Sequence, residues 1–172
     1  MSWKTIRYDW PLHFVLRITN FLPDNIVFLK LRGRLASHFI GKCGNDLRLG
    51  RNITFYNPSK IEIGSHCYIA YGNWFSANET ITIGDEVVIG PYCVFASSNH
   101  TKEGKSYRYG AQSCAKIVIS SGCWIAAHCT VTAGSNLPEQ SVLAANSVLT
   151  SAHHSQSGLY AGAPAQLKRA DK

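Results

Sequence analysis

The sequence predicts an all-β protein, a parallel β-helix of hexapeptide repeats, on two observations. The first is a period of six: from Leu49 onward an aliphatic residue or phenylalanine recurs at every sixth position, with two slips of two residues. Neither an α-helix nor a simple alternating sandwich has this period. These residues are Leu49, Phe55, Ile61, Ile63, Ile69, Phe75, Ile81, Ile83, Ile89, Phe95, Ile119, Ile125, Val131, Leu137, Leu143 and Leu149.

The second observation is a small or compact residue two positions before most of these large ones. Residues two apart on a strand point to the same side, so each repeat sends one large and one small side chain inward and then turns. Three repeats make a triangular coil of 18 residues, and successive coils stack about 4.8 Å apart. The small positions are Cys67, Asn73, Val87, Cys93, Cys123, Cys129, Ser135, Ser141 and Ser147.

The same pattern accounts for four of the six cysteines. Cysteines at the inward small position pack as small hydrophobes and stay protonated. Cys43 and Cys114 fall outside the repeat, and no pair has zinc-ribbon spacing. A covalent thiol mechanism therefore has little support.

The N-terminal third has a different pattern. Residues 11–22 and 24–40 are expected to form two amphipathic helices that cover the open end of the β-helix, with Asp24 as an N-cap. Gly33 is expected to weaken the second helix. The predicted organisation is a helical cap over 1–44, a β-helix over 45–152 interrupted by a loop at 100–117, and a C-terminal tail over 153–172.

Charge is concentrated in the same third of the chain. Residues 1–51 contribute +6 of the formal net charge of +7, which favours contact with something anionic, such as lipid headgroups or an acidic saccharide carrier. Lys30, Arg32 and Arg34 are candidates for contact with an anionic membrane; a solvated charged face is the alternative. No nucleic-acid-binding motif accompanies the charge. Without a signal peptide or an apolar run long enough to span a bilayer, a cytoplasmic location is expected.

Between Phe95 and Ile117 the repeat is interrupted, and the interruption begins with "SSNH", which ends at His100. The repeats, this interruption, "SGCWIAAHCTVTAGSNL" and the tail "YAGAPAQLKR" together resemble the hexapeptide-repeat O-acetyltransferases, in the maltose, galactoside and polysaccharide branch. The resemblance implies a left-handed β-helix, a homotrimer with active sites between subunits, acetyl-CoA as acyl donor, and no metal.

The resemblance also implies roles for individual residues. His100 would be the general base that takes the proton of the attacking hydroxyl, a task suited to a free imidazole pKa of about 6.5. Trp124 would lie beside the base and the thioester, and Asn78 would contact the acceptor. The cofactor-binding residues would be Ala127 and Ala145, one coil apart beside the pantetheine arm, with Lys168 and Arg169 near the coenzyme A phosphates.

The tail departs from the family pattern at two positions. Ser151 and Gln166 stand where basic residues are common in the family, which weakens the expected phosphate site. Loop residues 101–116 are expected to select the acceptor, but the sequence does not assign them individual roles.

The expected function is acetyl transfer from acetyl-CoA to a sugar hydroxyl, by direct transfer, in bacterial surface polysaccharide biosynthesis. The alternatives are acetylation of a free sugar, an antibiotic or serine, and a non-catalytic trimeric scaffold. γ-Class carbonic anhydrases share the fold but bind zinc through three histidines. His66 and His128 fall at outward turns and do not form the close pair that such a site needs.

Overall fold

The computed structural model describes residues 3–151 and 154–171. The chain begins with a π-helical turn, Thr5–Asp9, and continues directly into helix α1, Trp10–Thr19. Helix α2 spans Ile26–Ser37. Both helices lie where the sequence predicts them, although each is shorter than expected.

The rest of the chain coils into a parallel β-helix with three sheets. Sheet one contains β1 Lys42–Cys43, β4 Ile61–Ile63, β7 Ile81–Ile83, β12 Ile117–Ile119 and β15 Asn136–Leu137. Sheet two contains β2 Arg48–Leu49, β5 Tyr68–Ile69, β8 Val88–Ile89, β13 Trp124–Ile125, β16 Val142–Leu143, β18 Gly158–Gly162 and β19 Ala165–Ala170. Sheet three contains β3 Thr54–Tyr56, β6 Trp74–Ser76, β9 Val94–Ala96, β14 Thr130–Thr132 and β17 Val148–Leu149. The predicted fold class is confirmed.

Because β1 already pairs with β4 in sheet one, the β-helix begins at Lys42, three residues before the predicted boundary. The boundary predicted between 152 and 153 lies outside the described residues.

The coils are not all 18 residues long. Ile61 pairs with Ile81 and Trp74 with Val94, so these coils contain 20 residues, whereas Trp124 pairs with Val142 in an 18-residue coil. The expectation of a uniform 18-residue coil is therefore wrong. The two places where the six-residue period shifts by two residues correspond to two extra residues at one corner of the coil.

That corner connects sheet three to sheet one. It consists of residues 57–60, 77–80, 97–116 and 133–135, and we call it the loop corner. The first of these segments contains a 3-10 turn, Pro58–Lys60. The third carries the long excursion, in which β10, Ser98–His100, pairs antiparallel with β11, Gln112–Cys114.

The interior follows the predicted pattern of large and small residues. The aliphatic and small positions are buried, and Phe75 stacks between Phe55 and Phe95 with ring centroids 5.0 Å and 4.6 Å away. The four inward cysteines are buried. Burial raises the pKa of Cys123 to about 11 and also raises that of Cys67, as expected for structural thiols.

The helical cap closes the first coil. Leu12 and Leu16 of α1 and Ala36 of α2 belong to the same buried core as the coil residues. A β-carbon on Gly33 would lie 1.8 Å from the Leu47 carbonyl oxygen. Gly33 therefore lets α2 approach the coil backbone, and its cost in helix propensity is offset by this close packing.

Arg32 is fully buried beneath the cap. Its guanidinium donates to the carbonyl oxygens of Leu49 at 2.6 Å, Thr19 at 3.0 Å and Leu22 at 3.1 Å, and to Asp24 at 3.1 Å. Burial lowers the pKa of Arg32, against the opposing effect of Asp24. The prediction that Arg32 faces a membrane is wrong, because its guanidinium is buried as the donor for carbonyl oxygens of the first coil and of the end of α1.

The predicted N-cap at Asp24 is also wrong. The Asn25 side chain accepts a hydrogen bond from the Phe28 backbone N–H at 3.1 Å and caps α2. Asp24 instead forms ion pairs with Arg32 and Arg51. Asn25 thus supplies the N-cap of α2, whereas Asp24 links the helical cap to the first coil.

The C-terminal segment, predicted as a tail over 153–172, forms a hairpin. Strand β18 adds in parallel to β16, and β19 pairs antiparallel with β18. Tyr160 and Ala165 are buried and extend the core past the last coil. Among the described residues, no helix is long and apolar enough to cross a membrane.

Candidate active site

A ladder of polar side chains fixes the loop corner. The Asn78 amide donates to the Ser98 hydroxyl at 2.7 Å and accepts from the Asn57 amide at 3.3 Å, so three successive coils are joined. The Lys60 ammonium donates to the Asn78 carbonyl oxygen. Asn78, predicted as an acceptor contact, is half-buried and belongs to this ladder.

Ser97 holds the root of the loop from inside. Its buried hydroxyl donates to the Glu79 carbonyl oxygen at 2.8 Å and accepts from the Glu79 backbone N–H at 2.8 Å. Neither Ser97 nor Ser98 was predicted to have a role, although both stand in "SSNH" just before the histidine. Ser97 follows the inward residue Phe95 by two positions and should therefore also point inward. A polar residue at such a position is the sequence signal that would have identified it.

His100 stands at the end of β10, opposite Gln112. Its side chain is exposed, and no hydrogen bond to its imidazole is present among residues 3–151 and 154–171. Just beyond it, Thr101 and Ala111 pair through their backbones at 3.2 Å. A β-carbon on Gly110 would lie 1.9 Å from the Thr101 carbonyl oxygen. The backbone around His100 is thus fixed on both sides, while its side chain is exposed.

Trp124 lies on a different face of the prism. It is 52% exposed on the outer surface of sheet two, between Val88 and Val142 of the neighbouring strands. His100 leaves from the corner between sheets three and one, which is opposite sheet two in a triangular coil. A single chain therefore does not bring these two predicted site residues together.

Ala127 and Ala145 stack at the corner between sheets two and three. The Asn146 backbone N–H donates to the Ala127 carbonyl oxygen at 3.0 Å, and the coil before them contributes Gly90, where a β-carbon would lie 2.8 Å from the Ala127 nitrogen. This edge carries small side chains in three successive coils. Ala127 is half-buried and Ala145 is exposed.

Lys168 and Arg169 lie on β19, the outer strand of the C-terminal hairpin, and both side chains are exposed. Gln166 on the same strand and Ser151 after the last coil are exposed as well. Gln166, Lys168 and Arg169 extend sheet two beyond the last coil, whereas Ser151 follows the last strand of sheet three. They are accessible to an anionic ligand that runs along this end of the prism.

The other histidines of the coil do not join His100. His66 and His128 are exposed at turns, where both adopt positive φ. The His66 Nδ1 lies 3.6 Å from an Asp46 carboxylate oxygen, and His128 stacks on Tyr92 at 5.2 Å. Their outward placement follows the prediction.

No family model matches the chain. It is 25% identical over 119 residues, 69% of its length, to the galactoside O-acetyltransferase of Escherichia coli strain K12, and the match spans 59% of that relative. It also resembles a hexapeptide-repeat acetyltransferase of Vibrio cholerae O1 biovar eltor solved with acetyl coenzyme A, with TM-score 0.75 and 25% identity over 94% of this chain and 87% of the other.

A maltose O-acetyltransferase of Clostridium difficile 630 superposes over 100% of this chain and 90% of its own, with TM-score 0.82 and 19% identity. That likeness shows the fold alone. The E. coli relative and the V. cholerae structure confirm the resemblance predicted from the repeats and the tail.

Proposed function

We propose that this protein, which the comparisons group with the hexapeptide-repeat acetyltransferases, is an O-acetyltransferase that uses acetyl-CoA to acetylate a sugar hydroxyl. The single observation that carries the proposal is His100, an accessible imidazole on a backbone fixed by the Asn78–Ser98 ladder. The V. cholerae relative, solved with acetyl coenzyme A, supports the choice of donor.

In this proposal His100 acts as a general base. A sugar hydroxyl is a poor nucleophile at neutral pH, so one nitrogen of a neutral imidazole accepts its proton as the oxygen attacks. Such a base contributes about 10²–10⁴ in rate. Acetyl-CoA supplies a thioester whose thiolate leaves readily, so transfer is direct and no residue of the chain is acylated. The inward cysteines take no part, because all four are buried in the core of the β-helix.

The residues present fit the donor. The edge formed by Gly90, Ala127 and Ala145 carries only small side chains in three successive coils, which lets an extended pantetheine arm approach the backbone. Lys168 and Arg169 are exposed at the end of the same prism and supply cations for phosphate groups. We propose these as the donor-binding residues and the C-terminal hairpin as the element that closes over them.

We further propose a homotrimer with its active sites between subunits. His100 and Trp124 of one chain lie on opposite sides of the prism, so Trp124 can stand beside the base only if a second copy supplies it. A heterologous contact repeated around a ring provides three equivalent sites. The exposed apolar surface around Trp124 and Val88 on sheet two favours such a contact.

For the acceptor we propose a saccharide unit of a bacterial surface polymer, acetylated in the cytoplasm, with peripheral contact to the inner face of the membrane. The motivation is the basic helical cap. The chain spans only 59% of its galactoside-acetylating relative, so the acceptor need not be the same.

The proposal is tested by incubating the purified protein with acetyl-CoA and a panel of acceptors while thiol release is measured. The panel contains free galactosides and maltose, a polysaccharide-derived oligosaccharide, an aminoglycoside and serine. We expect thiol release to exceed the background hydrolysis of acetyl-CoA only when the acceptor is a saccharide. Turnover with serine or the aminoglycoside alone would contradict the sugar assignment, and no turnover together with no thermal stabilisation by acetyl-CoA would favour the scaffold alternative.

A further inference from the structure

The N-terminal segment over residues 3–21, which contains α1, carries an apolar stripe on the side that faces away from the core. Its members recur every three or four residues and each is more than half exposed. Leu12, Leu16 and Thr19, on the opposite side of the same helix, are buried against the coil. The outer side of a helix that caps a core is normally polar, so a second apolar side indicates a second partner. The stripe consists of Trp3, Ile6, Trp10, Phe14, Ile18 and Phe21.

The second helix widens this surface. Ile26 and Val27 in its first turn are more than half exposed, and Leu31 and Leu35 follow on the same side. The four aromatic rings of the stripe alone expose on the order of 500 Å². The largest apolar patch of a typical monomer is about 300–600 Å² and is often functional, so these rings alone expose an apolar area of that size.

The charges around the stripe are positive. Arg17 and Arg34 are exposed, as is Lys30, whose ammonium lies 3.5 Å from Asp46. The cap has two acidic residues over residues 3–41, Asp9 and Asp24, and Asp24 is occupied by Arg32 and Arg51. A second copy of this surface would oppose like charges, whereas anionic lipid headgroups offer the opposite charge.

We propose that the helical cap lies on an anionic lipid bilayer, with the stripe Trp3–Phe21 inserted at the level of the headgroups. An amphipathic helix with tryptophans on its apolar side and Arg or Lys beside it has the composition of an interfacial helix. Trp rings favour this depth because they are apolar with one polar N–H. This proposal rests on the peripheral membrane location proposed above and identifies the stripe as the contact surface. The β-helix and its loop corner would then project into the water phase.

The test is flotation of the full chain with phosphatidylcholine vesicles, with and without phosphatidylglycerol, at physiological salt. The wild-type chain is expected to float only with the anionic vesicles, and its tryptophan emission is expected to shift to the blue. The double variant Trp10→Ser/Phe14→Ser is expected to bind at least about tenfold more weakly. The matched control is Tyr107→Ser/Tyr109→Ser, which removes two equally exposed rings from the loop and is expected to bind like the wild type.

Two further measurements distinguish a lipid bilayer from a second copy of the chain as the partner of the stripe. Sedimentation velocity is expected to give the same mass for the wild type and the Trp10→Ser/Phe14→Ser variant; a smaller mass for the variant would assign the stripe to a contact between copies and overturn the inference. Absence of the wild type from the anionic vesicle fraction would overturn it as well. Acetyl transfer to a soluble acceptor, measured on the same samples, reports separately on the proposed function.

Discussion

Replacing His100 with alanine is expected to lower kcat for acetyl transfer about 10²–10⁴-fold. The side chain is exposed, so its removal takes nothing from the core, and the melting temperature is expected to stay within about 1–2 °C of the wild type. Stabilisation by acetyl-CoA is expected to persist, because the proposed donor edge lies at another corner. Initial rates and thermal melts of the same preparation check all three expectations.

The matched control for this variant is His66→Asn. His66 is another exposed histidine, at a turn with φ of 59°, and asparagine tolerates that conformation. Its turnover is expected to equal that of the wild type. If His100→Ala retained wild-type turnover, or if His66→Asn lost as much, the assignment of His100 as the base would be wrong.

Replacing Arg32 with methionine is expected to destabilise the protein by about 3–5 kcal/mol, the largest effect on stability that the structure predicts. Methionine fills much of the space but leaves the carbonyl oxygens of Leu49, Thr19 and Leu22 without their donor. For a chain of this size the loss corresponds to a fall in melting temperature of about 10 °C. Thermal or urea denaturation followed by circular dichroism measures it.

Arg34→Met is the control, since Arg34 lies two residues away on the same helix and is exposed. Its melting temperature is expected to match the wild type, because surface substitutions change stability by about 0.5 kcal/mol or less. Equal stability of the two variants would show that the buried guanidinium does not fasten the cap to the coil.

Much of the fold was predictable because the β-helix repeats one local rule. The large residues at the repeat positions, from Leu49 to Leu149, and the small residues two positions before them are all predicted to point inward. All of them are buried in the structure. The coil length was mispredicted because it depends on the corner: the two extra residues at 57–60 and at 77–80 look like a slip of phase in the sequence, but lie in turns of a 20-residue coil.

The cap was less predictable because its contacts are between distant parts of the chain. Asp24 after Pro23 has the local appearance of an N-cap, and Arg32 that of a surface cation, but the two residues pair 3.1 Å apart beneath the cap. Their partners, such as the Leu49 carbonyl, lie far along the sequence. The apolar stripe was likewise concealed, because its residues look like core until α1 is placed on the coil.

For the candidate site, the sequence and the resemblance named His100, Trp124 and Asn78, but only the structure showed how they are arranged. Asn78 and the histidine share the loop corner through Ser98, while Trp124 lies on the opposite face. The repeat spacing predicts the coil on which a residue lies. It does not predict which face of the β-helix contacts another copy.

The central claim is that each active site combines His100 of one copy with Trp124 of another. It is tested most directly by co-expressing His100→Ala chains with Trp124→Ala chains and measuring acetyl transfer by the mixed oligomers. In a closed ring of heterologous contacts, about one site in four receives both intact residues. The mixture is therefore expected to recover about a quarter of wild-type turnover although neither parent is active; activity no higher than that of the parents would contradict a shared site.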